Sequence, residues 1–553
     1  MKVLLLFLKT SLWDFIVAVT TGVVSGLCLT GMIALIHQGI NTELADFQFL
    51  VISFLGLWLI YGVTSVLTTY SITKLSQDVV LDMRINLSKK IMKASFKEME
   101  RKQNQLLTIL TDDITTINDF VNRLPNIFTS LAMVIGCVFY MAFISWELIL
   151  IFLLLFTMAY FLTKHPLNNF KYKMRQARDT QKDLIGHFRS LVFGLKELLL
   201  SIRLRKGFVD NVLLPSANDQ REFNLWARLW ISIFSRASEM VLLLGFGLLL
   251  VGIYNYQIVS FETLSQFLMI SLFTLSPLSN IGGFLPFLGK ADIALEQIND
   301  TGLVLEKAAI NRTEEDPSFE PVEDSYLNLK DITYTYFHEG EDKFFQLGPI
   351  SLVIKKGEMV YLLGGNGSGK STLAKIICGL YIPETGQVSM GNTTVKKGSL
   401  DAYRENFNAI FTDFYLFEQL DHLAVGERRE EVERYLKLLE LDKKVQIKEN
   451  KLSTTSLSTG QRKRLALLLS YLDDKPFYVF DEWAASQDPY YKEVFYRTLL
   501  PELRDKGKTL LVITHDEKYF DGADKFIMLQ DGKMLDLDSH EDLLAIYNKG
   551  ISV

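Results

Sequence analysis

The chain has 553 residues, of which 49% are hydrophobic, and a formal net charge of −6. That length allows more than one domain, and that apolar share is high for a wholly soluble protein. The negative balance and the lack of a basic-aromatic recognition module exclude nucleic acid as a partner. Three cysteines, Cys28, Cys137 and Cys378, are too few and too scattered for a disulfide framework.

The apolar residues are concentrated before about residue 290. Six segments there are apolar enough to cross a bilayer, at about 13–36, 48–70, 124–144, 146–163, 236–254 and 261–285. The first is too long for a signal peptide and lacks a small-residue cleavage site, so it reads as a retained helix. Only Ser145-Trp146-Glu147 separates the third from the fourth, which predicts a tight hairpin. The loop between spans two and three carries Lys74, Arg84, Lys89, Lys90, Lys93, Lys97, Arg101 and Lys102. The loop between four and five carries Lys171, Lys173, Arg175, Arg178, Lys182 and Arg189. Both should therefore be cytoplasmic, while the short loops at 41–46 and 255–257, poor in Lys and Arg, should face outward. Six crossings return the C-terminal half to the cytoplasm.

The stretches 71–123 and 164–235 are helix-compatible and should carry the membrane helices into the cytoplasm, with connecting turns that reach the C-terminal domain. Arg236 and Glu239, near the start of span five, are candidate substrate contacts, because a charge in lipid is costly and usually faces a cavity; an ion pair between helices is the equal alternative. Pro277, Gly282-Gly283 and Pro286 would permit kinks in span six. An acidic, proline-containing stretch, Thr313–Pro317 and Glu320–Asp324, reads as a surface linker. The expected organisation is a membrane domain over 1–300, a linker over 301–325 and a soluble domain over 326–553, with no internal repeat.

In the C-terminal half, Gly364-Gly365-Asn366-Gly367-Ser368-Gly369-Lys370-Ser371 fits G-x-x-x-x-G-K-[ST] and follows a buried-strand pattern. Glycines let backbone N–H groups wrap a phosphate, and the helix that begins here aims its positive end at the anion. ATP or a related nucleotide is the predicted ligand, with Lys370 on the β/γ-phosphates and Ser371 on Mg²⁺. Further on, Phe477–Phe480 has the composition of a buried parallel strand, which places Asp481 at its C-terminal end, where ligands of open α/β sheets bind. Asp481 should hold the Mg²⁺. Leu457-Ser458-Thr459-Gly460-Gln461 opens a helical segment, so Ser458 and Gly460 stand at a helix N-terminus suited to a phosphate. Leu510–Thr514 is another buried-strand pattern and leads into His515.

This ordered set resembles the ATPase domain of the ABC transporter superfamily. The resemblance implies an α/β phosphate-loop ATPase domain behind an all-α six-helix transmembrane exporter domain. It implies Glu482 as the general base that polarises the attacking water, His515 as the γ-phosphate contact and Lys370 as a third catalytic group. Nucleotide contacts carry over to Gly364, Asn366, Gly367, Ser368, Gly369, Lys370, Ser371 and Thr372, and across a dimer to Ser458, Gly460 and Gln461. Metal contacts carry over to Ser371, Asp481 and Asp413. Tyr336 matches the aromatic that stacks on adenine, with Tyr334 and Phe337 as competing neighbours. Thr412 stands where the family usually has glutamine, so that Thr412 or Asp413 takes over that role. The loop after the base reads Trp483-Ala484-Ala485-Ser486-Gln487-Asp488, a departure from the usual form in which Asp488 still matches an aspartate.

Thr412-Asp413-Phe414, Phe480-Asp481-Glu482-Trp483, Gly348-Pro349-Ile350 and Gly194-Leu195-Lys196-Glu197-Leu198 together look like bacterial cyclic-peptide and siderophore exporters of the pyoverdine type. This resemblance implies a multi-pass protein of the cytoplasmic (inner) membrane that uses ATP and Mg²⁺. It would act as a homodimer among membrane lipids on a peptide-like small molecule, with a periplasmic or outer-membrane partner to receive it. A lipid or drug exporter is the nearest alternative, and a nucleotide-gated channel or regulator the alternative of another class.

Overall fold

The computed structural model describes residues 11–40, 47–256, 261–307, 326–338, 343–423 and 425–537. The outward loop at 41–46, Gln257 and both acidic stretches of the expected linker lie outside these residues, as do the side chains of Glu239 and Phe337. The chain divides into two compact units. One comprises Met1–Lys89 and Asn104–Gly302, the other Lys90–Gln103 and Leu303–Val553.

The first unit is helical. Its long helices are α1 (Leu12–Ile40), α2 (Phe47–Lys93), α3 (Leu124–Ile144), α4 (Trp146–Phe193), α5 (Leu214–Tyr256) and α6 (Phe261–Lys307). Each of the six apolar segments read from the sequence lies in one of them, and among the described residues four helical stretches, around α1, α2, α3 and α6, are long and apolar enough to cross a membrane. At 1.5 Å per residue, the 47 residues of α2 run about 70 Å, more than twice the thickness of a bilayer core, so the helix continues well beyond the lipid. Trp58, Leu59, Val63 and Val66 on α2, and Phe139 and Phe143 on α3, are exposed, as lipid-facing side chains must be.

Packing inside this unit depends on small residues. A Cβ at Gly26 would lie 2.6 Å from both the Ala132 Cβ and the Thr129 carbonyl oxygen, so α1 and α3 approach through a glycine. The predicted hairpin between α3 and α4 is formed by Ser145, whose extended backbone (φ −157°, ψ 120°) ends one helix, and whose hydroxyl accepts the Leu148 N–H at 3.3 Å to start the next. Pro277 and Pro286 lie within α6, which stays one helical run through both.

The second unit is built on two sheets. The first is antiparallel, ordered β2 (Lys343–Ile354), β1 (Leu327–His338), β4 (Thr385–Met390), with a short strand, Thr393–Thr394, at its edge. The second is six-stranded, ordered β9-β8-β3-β7-β6-β5. Its members are β3 (Met359–Gly364), β5 (Phe407–Ile410), β6 (Phe477–Asp481), β7 (Thr509–Ile513), β8 (Lys525–Gln530) and β9 (Lys533–Leu537). All its pairs are parallel except β8 with β9. Every residue of β3, β6 and β7 is buried, which explains why these strands read as continuous apolar runs. Tyr361, Leu363, Phe480 and Val512 enter the core on one face, and Val360, Leu362, Val479 and Leu511 the core on the other.

Two helices follow strands of this sheet and bear on the site: α7 (Lys370–Ile377) after β3, and α8 (Thr459–Asp473) before β6. Residues 90–103 also belong to this unit. There Lys97 donates to the Thr335 carbonyl at 3.3 Å, while Glu100 pairs with Lys375 at 3.2 Å and accepts the Tyr381 hydroxyl at 2.5 Å. One of the cytoplasmic turns expected to reach the C-terminal domain therefore does so.

Candidate active site

Parallel register brings the functional segments together. Ile513 pairs with Leu362 on one side and with Asp481 on the other, so the C-terminal ends of β3, β7 and β6 lie side by side. From this edge emerge the phosphate loop, His515 and the Asp481-Glu482 pair. This is the crevice beyond the strand ends where open α/β sheets bind ligands.

The loop over 364–369 depends on glycine where the backbone turns. Gly364 has φ +141°, and a Cβ there would stand 2.2 Å from the Leu529 carbonyl oxygen, a clash with backbone that cannot move. Gly367 and Gly369 also have positive φ, and Gly369 opens α7. Lys370 is buried, with its ammonium donating to the carbonyl oxygens of Gly364 at 2.7 Å and Gly365 at 2.9 Å. Burial lowers its pKa, an effect opposed by the nearby carboxylates of Glu482 and Asp481. Inside the loop, the Ser368 hydroxyl is buried with no hydrogen-bond partner.

Asp481 is 1% exposed and its Oδ1 has no partner. Desolvation raises its pKa and Glu482 adds to the rise, while a hydrogen bond with Ser371 and the charges of Lys370 and Lys375 lower it. A buried carboxylate oxygen and a buried hydroxyl, both unsatisfied at the mouth of a glycine loop, fit a missing charged group. ATP phosphates with a hard divalent cation match that chemistry, with oxygen donors from Ser371 and Asp481. Among the described residues no group of three or more His, Cys, Asp and Glu side chains could hold a metal ion.

Glu482 follows β6 in the left-handed region, φ 49° and ψ 39°. Its N–H donates to the Ile513 carbonyl at 3.1 Å, and its Oε1 lies 3.4 Å from Nε2 of His515. Both side chains remain partly exposed, so water reaches them. Thr412 and Asp413 are exposed on the turn after β5, whose last residue, Ile410, pairs with Phe480. They thus leave the sheet beside the strand that carries Asp481.

Of the three aromatics offered for adenine, Tyr334 is already engaged. It is 2% exposed, stacks on Tyr381 at 4.8 Å and lies under Lys97 at 4.7 Å. Tyr336 is half-buried and faces Phe345 on β2 at 5.8 Å. Phe345 in turn lies 3.3 Å from the position a Cβ on Gly369 would take. Tyr336 and Phe345 thus form an aromatic pair beside the phosphate loop. Phe345 was not evident in the sequence, because only the antiparallel register of β1 with β2 brings it opposite Tyr336.

Ser458 caps α8 in a reciprocal box with Gln461: its hydroxyl accepts the Gln461 N–H at 3.4 Å, and Gln461 Oε1 accepts the Ser458 N–H at 3.2 Å. At this end of the helix Ser458 is exposed and Gly460 half-buried. Asp488 caps the short helix Pro489–Val494, accepting from the N–H groups of Tyr490 and Tyr491. Cys28, Cys137 and Cys378 are all buried free thiols, and burial pushes the Cys378 thiol up.

Residues 347–485 match the family described as ABC transporter, and residues 10–195 the ABC transporter transmembrane region. The chain is 34% identical to the ATP-binding protein SyrD of Pseudomonas syringae pv. syringae, over 94% of this chain and 93% of that protein. The chain belongs to the ABC transporter family. Among other relatives of this ABC transporter, the ATP-dependent lipid A-core flippase of Vibrio vulnificus (strain CMCP6) is 25% identical, over 96% of this chain and 94% of the flippase. The transport/processing ATP-binding protein ComA of Streptococcus pneumoniae is 28% identical over 52% of this chain and 40% of ComA. The molecule is thus an ABC exporter with helical membrane and ATPase domains fused in one chain. It is a multi-pass membrane protein whose ATPase domain, the cytoplasmic part, couples ATP to translocation.

Proposed function

We propose that this exporter moves a peptide-like metabolite, such as a cyclic peptide, a siderophore or its precursor, across the cytoplasmic membrane by alternating access. The energy source rests on the alignment of the phosphate loop, Asp481, Glu482 and His515 at adjacent strand ends. Lys370 leaves the loop carbonyls to hold the β/γ-phosphates, and the Ser368 hydroxyl and the loop N–H groups cradle them, with Gly364, Asn366, Gly367, Gly369 and Thr372 shaping the cradle. Tyr336, supported by Phe345, stacks on the base. Mg²⁺, held by Ser371 and Asp481 with Asp413 nearby, would neutralise developing phosphate charge. Glu482 accepts a proton from the water that attacks the γ-phosphorus as the bond to the bridging oxygen breaks, and His515 meets the γ-phosphate.

One chain carries one such domain, so a homodimer would close two sites, each completed by Ser458, Gly460 and Gln461 of the opposite copy. Passage of the product to a periplasmic or outer-membrane partner belongs to the same reading. The substrate class is supported by the run Thr412-Asp413-Phe414 and by Trp483 after the base, departures that resemble the cyclic-peptide exporters. A lipid substrate is the second reading, favoured by the full-length similarity to lipid A-core flippases. A nucleotide-gated regulator would have no use for the Glu482-His515 pair at 3.4 Å.

The test is ATP hydrolysis by the full chain in lipid nanodiscs. Glu482→Gln should lower kcat at least about 100-fold while ATP still binds, and cyclic peptides or siderophores should stimulate the native rate. Stimulation by lipid A precursors alone would move the substrate to the lipid class. Tight ATP binding without native turnover would remove the pump mechanism.

A further inference from the structure

Lys463 sits on the second turn of α8, five residues beyond the Ser458 cap, and is 7% exposed. Its Nζ donates to the carbonyl oxygen of Glu482 at 2.8 Å and to that of Trp483 at 3.2 Å. In return the Trp483 indole N–H donates to the Lys463 carbonyl at 2.8 Å. The indole is buried and stacks on Phe495 at 4.4 Å, so its donor has one direction in which to point. A further bond joins the same two segments, from Gln487 Nε2 to the Gly460 carbonyl at 3.2 Å.

A buried ammonium is costly to keep. Burial lowers the Lys463 pKa, and the Glu482 and Asp481 carboxylates only partly offset this. An apolar side chain would fill the space without that cost, so the charge must stabilise something an apolar group could not. The one unfavourable backbone conformation within its reach is that of Glu482. A left-handed residue other than glycine is strained and persists only where its surroundings over-determine it. Here the Glu482 N–H is held by Ile513, and its carbonyl by Lys463 together with the Ala485 N–H at 3.3 Å.

We propose that Lys463 and Trp483 form a two-way clamp that fixes the Glu482 backbone in its left-handed conformation, so that the carboxylate is aimed by the position of α8. This rests on the reading of Glu482 as general base. Lys463 and Trp483 are then positioning residues that act through Glu482. Since α8 would also face the nucleotide of the opposite copy, a shift of that helix on closure would pass through Nζ to the base of its own site. The occupancy of one site would thereby set the readiness of the other.

The experiment is steady-state ATP hydrolysis by the full chain in nanodiscs, with kcat and KM determined for W483F, K463M, K463R, E482Q and the E482Q/K463M double variant. W483F keeps an aromatic ring beside Phe495 and removes the N–H donor together with part of the buried indole, so the separation of kcat from KM is what distinguishes a displaced carboxylate from general loosening. A displaced carboxylate predicts a loss in kcat of about 3–10-fold for W483F and about 30-fold or more for K463M, with KM for ATP within about twofold because the phosphate loop is untouched. K463R should regain most of the rate, and E482Q/K463M should be no slower than E482Q, since both act through one carboxylate. A kcat within about twofold of native in W483F, or a KM that rises in step with the loss of kcat, overturns the clamp. W483F carries the test alone if K463M fails to accumulate folded. Native-like turnover in E482Q would refute the reading of the base itself. Loss in E482Q beside native-like W483F and K463M would refute only the clamp.

Discussion

At the scale of single residues, the site is a set of polar groups left incomplete by the fold. Ser368 Oγ and Asp481 Oδ1 are buried without partners, and Lys370 turns back on the carbonyls of its own loop. Each arrangement costs free energy in the free protein and is relieved by an anion and a cation together. Asp481 makes this testable by pH. Its native pKa lies above the unfolded value, chiefly through desolvation, so the folded state holds the proton more tightly and ionising the group works against folding. Lowering the pH from the raised native value towards the unfolded one therefore favours the free protein but opposes the metal, which needs the carboxylate. The stabilisation that Mg²⁺ with ATP adds to the melting temperature should shrink as the pH falls from neutral towards the range where an ordinary carboxylate takes up its proton. Asp481→Asn should abolish that gain at every pH, yet melt about 2–4 °C higher than the native chain without nucleotide, the shift that about 1 kcal/mol gives a domain of this size. A lower melting point for the free variant would refute the account of Asp481.

At the scale of elements, what matters is how closely two pieces of backbone approach. The contact of α1 with α3 leaves no room for a side chain at Gly26, whereas a Cβ at Gly62 on α2 meets nothing within 4 Å. Leucine at Gly26 should separate the two helices and lower the melting temperature in detergent by several degrees, as overpacking of about 1–3 kcal/mol would do. Leucine at Gly62 should leave it within about 1 °C, and equal effects at the two positions would remove the argument. The same scale explains what could be read ahead and what could not. The six apolar segments, the Ser145 hairpin and the strand before the phosphate loop were legible because hydrophobic length and local caps act within a few residues. Tyr336 was put forward from the sequence, but the engagement of Tyr334 by Tyr381 and Lys97, and the pairing of Tyr336 with Phe345, were not legible, because they depend on packing and strand register.

For the whole molecule, the question is how two ATPase sites share work if the exporter is a homodimer. Mixed assemblies of native and Glu482→Gln chains, separated by two affinity tags, would contain one competent base. Sites linked through α8 of each copy should give such dimers well under half the native rate per dimer. Half the rate would mean that the sites turn over independently. Residues 90–103 belong to the ATPase unit, where Lys97 bonds to Thr335 and Glu100 to Lys375.

The family, the two-part organisation and the order of the ATPase motifs could be read from the chain alone, because each is carried by residues close together in sequence or by the apolar content of whole segments. The sequence also marked Asp481, Glu482 and His515, through the strands that precede them. Which aromatic pair stands by the loop, that Asp481 keeps an oxygen unsatisfied, and that Lys463 and Trp483 hold each other's backbone emerged from packing alone. Those facts depend on strand register and on contacts between residues separated by tens of positions in sequence. No local pattern encodes such contacts, because their energy appears only when the sheet and α8 pack together.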